Sequence, residues 1–71
     1  MNAKEWITAF AERLGVQPPT PAEFSKLLEL AGEAAHASER VAAPVACWVA
    51  AQARRTPEEA LQAAREVEGD R

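Results

Sequence analysis

Thr20-Pro21-Ala22-Glu23-Phe24-Ser25-Lys26-Leu27-Leu28-Glu29-Leu30 decides how this chain folds. A hydrogen-bond-accepting threonine, a proline at the first helical position and a glutamate three residues after the threonine form the capping-box arrangement. A helix therefore starts at Pro21. Behind it Phe24, Leu27, Leu28, Ala31 and Ala35 recur with a helical period, so the helix is expected to reach about Ser38 with these residues as its apolar face. Gly32 inside it is expected to mark a close contact.

Thr56-Pro57-Glu58-Glu59 repeats the threonine, proline and acid, and opens a further helix from Pro57 to about Val67, ahead of Gly69. Its apolar face, Ala60, Leu61, Ala64 and Val67, is small in volume. This helix is expected to be the least firmly docked, with the last residues of the chain frayed. Upstream, Trp6, Ile7, Phe10 and Leu14 share one face of a helix from about Ala3 to Leu14. Gly15 ends it, and Val16-Gln17-Pro18-Pro19 is a loop, because two prolines remove donors and restrict the residues before them.

Between the two threonine caps lies Val41 to Ala51, an apolar run that includes Pro44 and is too long for a typical strand. With Pro44 in the first turn, a helix over about 44–54 follows. A helix apolar all round is normally buried all round, so this one is expected to be central among the others or shared with another subunit. The fold class read from these elements is all-α: a compact four-helix domain, helices about 3–14, 21–38, 44–54 and 57–67, one domain over residues 1–71.

Hydrophobic residues make up 48% of the 71, but 17 residues are alanine, so the core is thin. A single core of this size seldom supplies more than about 3–5 kcal/mol. Self-association or docking on a protein partner is the natural remedy. The net charge of −3, with bases scattered along the chain, disfavours nucleic acid and membrane surfaces as partners. One cysteine, Cys47, allows neither an intrachain disulfide nor a cysteine-rich zinc site. With no signal-peptide pattern at Met1-Asn2-Ala3-Lys4-Glu5 and no run of ~20 apolar residues, the expected location is cytoplasmic.

The polar residues of interest are Glu29, Glu33, His36 and Arg40, spaced to share the side of the second helix opposite Phe24 and Leu28. Glu33 and His36 match the Glu-x-x-His pair of helical di-metal sites, but with a single histidine a complete site would require symmetry-related copies. A solvated stripe accounts for the pattern, with ligand or partner recognition as the sharper reading. His36 is of the residue type that serves as a general base, yet nothing supplies a nucleophile, since Cys47 lies in the apolar run. The glycines at 15, 32 and 69 form no phosphate loop. No catalytic residue, metal or cofactor is therefore assigned, and the chain is expected not to be an enzyme. Trp6 and Trp48 stand at core-facing positions; with Val45, they are also the candidate interface anchors. Arg54 and Arg55 are placed to complement the C-terminal dipole of the third helix.

Leu27-Leu28-Glu29-Leu30-Ala31, Ala35-His36, Glu39-Arg40 and Ala42-Ala43-Pro44 together resemble DUF6457, a family of short actinobacterial helical proteins. The chain departs from that family's usual pattern at Val41, Ala46 and Ala51, where proline, threonine and glycine stand. The resemblance implies an accessory module accompanying molybdenum cofactor (molybdopterin-guanine dinucleotide) biosynthesis, and it makes His36 and Arg40 the positions most worth attention. The function expected is thus a non-catalytic interaction module. The alternative is a small ligand- or metal-binding protein, catalytic or not, using Glu33, His36 and Arg40 across an oligomer interface.

Overall fold

The computed structural model describes residues 1–69, which form four helices: α1 (Ala3–Leu14), α2 (Pro21–Ala37), α3 (Ala42–Gln52) and α4 (Pro57–Gly69). The expected fraying of the last residues concerns positions outside the described residues. The domain is all-α and compact, as the sequence predicts, and is drawn out along one axis with extents of 39 × 22 × 18 Å. Its radius of gyration is 12.7 Å. A chain of this length folded as a sphere-like domain would have about 11 Å.

Three helices begin on closed capping boxes. At α2 the Glu23 N–H donates to Thr20 Oγ1 at 3.1 Å and the Thr20 N–H donates to Glu23 Oε1 at 2.8 Å. Thr56 and Glu59 make the same exchange at α4, at 3.1 and 3.0 Å. Asn2 and Glu5 do so at α1, at 2.8 and 2.9 Å. Each box satisfies two N–H groups that would otherwise lack partners. Gly15, at φ 76°, closes α1 in the left-handed conformation, with its own N–H on the Glu12 carbonyl and that of Val16 on Ala11.

The Glu59 carboxylate is held below the usual glutamate range, first by the backbone N–H of Thr56, then by its hydroxyl, with a smaller contribution from the Arg55 charge. Its cap therefore contributes fully above the ordinary glutamate pKa and is lost as pH falls through the lowered value. An NMR titration should show the Glu59 midpoint below that of an unstructured glutamate, and Glu59→Gln should flatten the acid limb of the stability curve. An unshifted midpoint would contradict the bonding.

α2 is the spine, with α4 and α3 both packed against it. Among the described residues, the buried ones are Ala11, Leu30, Ala60 and Leu61. Three expectations are corrected here. The first concerns α4, which is not the weakest element: Leu61 is the most buried of these four residues, and with Ala60 it docks the helix on α2. The second concerns α2, whose core position is Leu30, whereas Leu28 on the expected face is 62% exposed. Gly32 marks no close approach either, since a Cβ built on it meets nothing within 4 Å among the described residues. Gly32→Ala should accordingly stabilise the fold by about 0.5–1 kcal/mol through helix propensity. Urea unfolding with an unchanged slope and a higher midpoint would show it; a lower midpoint would contradict the open space.

Candidate docking surface

α3 is built unlike the other helices. Val41 precedes it without a side-chain cap, its first turn has no acid and its last turn no base. It starts at Ala42, two residues before the expected position, because Pro44 needs only a place in the first turn, where N–H groups are unpaired anyway. The small residues Ala42, Ala43, Ala46, Cys47 and Ala50 are half-buried, while Val41, Val45, Trp48 and Val49 are exposed. Trp48 is 64% exposed. The expectation of a helix buried centrally within its own fold is therefore overturned: α3 has no buried residue. Small side chains allow a close approach to α2, and that leaves the large ones on the far side, in water.

Between α3 and α4 runs a groove of about 450 Å³. It is lined by Leu30, by alanines of both helices and by Val45, Val49 and Val67, with Arg55 contributing its charge. Burial pushes the Cys47 thiol up from its ordinary pKa, which keeps it protonated and unreactive. After α3, Arg54 adopts φ 58°, the one positive value among non-glycine residues described, and it closes the helix with its N–H on the Ala51 carbonyl. It lies in the backbone turn beyond Gln52, outside the last turn of the helix in which the sequence places it.

α1 presents a second apolar edge, with Trp6, Phe10 and Leu14 of its expected core face exposed, and Val16 beyond its end exposed as well. Ala11 is its buried residue and Ile7 is half-buried. Trp6 is 52% exposed, so its expected core placement is corrected as well. Its ring stacks on Phe10 with centroids 5.0 Å apart and planes inclined by 26°. The Lys4 ammonium sits 5.7 Å from the centroid of the Phe24 ring, tying α1 to the start of α2.

The polar side of α2 does not gather into a centre. Glu29 pairs with Lys26 at 3.4 Å and with Arg65 of α4 at 3.8 Å, surface contacts worth about 0–1 kcal/mol each. Glu33 is half-buried and His36 exposed, and no ion pair joins them among the described residues. Arg40 is exposed beyond the Ser38 cap, so it no longer follows the helical register of Glu29, Glu33 and His36. No three of His, Cys, Asp and Glu come together to hold a metal among the described residues. None of those residues forms a catalytic constellation. No described helix is long and apolar enough to cross a membrane.

Fold and surface define a small all-helical domain whose prominent feature is an exposed apolar face. The chain belongs to the family described as Domain of unknown function (DUF6457), which matches residues 1–70. No curated protein and no solved structure matches it.

Proposed function

We propose that this chain is a non-catalytic interaction module that binds a protein partner through the apolar surface of α3 and the α3–α4 groove. One observation carries the reading: α3 turns its small residues inward and Val41, Val45, Trp48 and Val49 outward. Full burial of one such side chain is worth about 1.5–3 kcal/mol, and a fold of this size has little stability to forgo. An uncapped helix of 11 residues is also marginal without packing. A covering partner supplies both. The lone, unreactive thiol of Cys47 suits a reducing cytoplasm.

A photo-crosslinking residue placed at position 48 in cells should give a discrete adduct that the same residue at the exposed position 62 does not. Equal labelling at both positions, or none at 48, would refute the docking face. The pathway, molybdenum cofactor biosynthesis, is supported by the family resemblance and not by any side chain. It predicts that molybdenum-enzyme activity falls in cells lacking the chain and returns with the wild type but not with Trp48→Glu. Unchanged molybdenum-enzyme activity would remove the pathway and leave the docking surface standing.

A further inference from the structure

We propose that α1 is a hinged arm, an element that opens from α2 as one unit while α2, α3 and α4 stay folded together. The inference is independent of the docking face on α3. Packing is the first argument. α2 packs against α4 and against α3, and α1 makes no comparable seam with any helix. Its buried residue is Ala11, which brings little apolar area to the joint, and Ile7 is half-buried. Trp6 and Leu14 are mostly in water while the arm is closed, and Phe10 nearly half so. The joint is also poorly filled. A hollow of about 170 Å³ is lined by Ile7 and Thr8 of α1 together with Pro19, Pro21 and Phe24. Atoms around such a hollow lack the contacts that a close-packed seam would give them.

Hydrogen bonding is the second argument. The Asn2–Glu5 capping box closes α1 at one end, and the N–H groups of Gly15 and Val16 close it at the other. Both closures lie within residues 2–16 and owe nothing to α2. Among the described residues no hydrogen bond and no ion pair joins α1 to α2, α3 or α4. The charged link is the Lys4 ammonium over the Phe24 ring, and an exposed contact of this kind is weak. The third argument is the connection. Pro18 and Pro19 have no N–H to donate, and that of Gln17 finds no acceptor among the described residues, so no backbone donor ties this stretch to the fold. Opening has a consequence for the surface. It adds Ile7 and Ala11 to Trp6, Phe10 and Leu14, completing an apolar stripe that the closed form shows only in part. The α3 face is exposed throughout, whereas that of α1 is gated.

The test is amide hydrogen exchange of the full chain, read residue by residue by NMR at a series of low urea concentrations. A free helix of 12 residues is marginal in water, so α1 loses protection when it opens and the event is measurable. Amides from Trp6 to Leu14 are expected to share one opening equilibrium with a shallow urea slope, and to exchange at least ~10-fold faster than the slowest amides of α2 and α4. Ile7→Ala should speed exchange in α1 by about 5-fold or more while leaving those slowest amides within about 2-fold of the wild type. α1 amides that match α2 and α4 in rate and urea slope would make the chain one cooperative unit and overturn the arm. Protection that declines steadily from Leu14 toward Ala3 would mean fraying from the end, and overturns it too. So does an Ile7→Ala chain in which all four helices lose protection together.

Discussion

Replacing Leu61 by alanine is expected to unfold the chain at room temperature. Leu61 is 2% exposed and belongs to α4, which packs on α2. Truncating a buried leucine costs about 2–5 kcal/mol, from lost transfer energy and from the cavity left behind. A core of this size supplies about 3–5 kcal/mol in total. The loss is thus comparable with all the stability there is. Ala60 beside it has no larger side chain to move into the space, so the collapse that softens such mutations elsewhere has little material. Far-UV circular dichroism should show the helical signal of the wild type largely gone, or a melting midpoint lower by more than about 10 °C. A midpoint within a few degrees of the wild type would show that the α2–α4 seam does not hold the fold.

That Leu61 carries so much was visible in the sequence only in part. The helix containing it was legible from Thr56-Pro57-Glu58-Glu59, since a cap, a proline and an acid act locally and need no tertiary partner. The same holds at Thr20 and Pro21. The equivalent signal at Asn2 and Glu5 is also local, and it could have been read from the residue types alone. The weight of each helix in the core is not local. Four residues, Ala60, Leu61, Ala64 and Val67, look like a poor face until Leu61 is set against a neighbour that buries it.

α3 shows the same division from the other side. Its existence follows from an apolar run too long for a strand, and its placement does not. Hydrophobicity states that a surface is better covered than wet; it does not state by what. Covered by its own fold and covered by another chain leave the same sequence; in the structure Val45, Trp48 and Val49 are left in water, so their own fold does not cover them. The polar stripe was weaker still as a signal. Its spacing assumed one helix through Arg40, and α2 stops at Ala37, so the last member falls out of register.

Leu30→Ala and Leu28→Ala, two residues apart on α2, are expected to differ in cost by several-fold. Spacing favours Leu28, which falls with Phe24 and Ala31 on the stripe that the helical period picks out. The structure favours Leu30, at 3% exposure against 62% for Leu28. Successive positions on a helix are rotated by about 100°, so two residues apart lie on nearly opposite sides. Leu30 faces the seam with α4 and also lines the α3–α4 groove, where Ala42, Ala46 and Ala60 are too small to refill a hole. Its truncation should cost about 2–4 kcal/mol, near the upper half of what the fold possesses. Truncation at Leu28 removes contacts that are mostly with water, and should stay within about 0.5 kcal/mol. Paired urea titrations at equal chain concentration measure both. The outcome also bears on the proposed docking surface: because Leu30 lines the α3–α4 groove, Leu30→Ala should weaken partner binding as well as folding, whereas Leu28→Ala should leave it unchanged. Equal costs at the two positions would mean that α2 turns a different face to α4, and the groove that depends on that orientation would go with it.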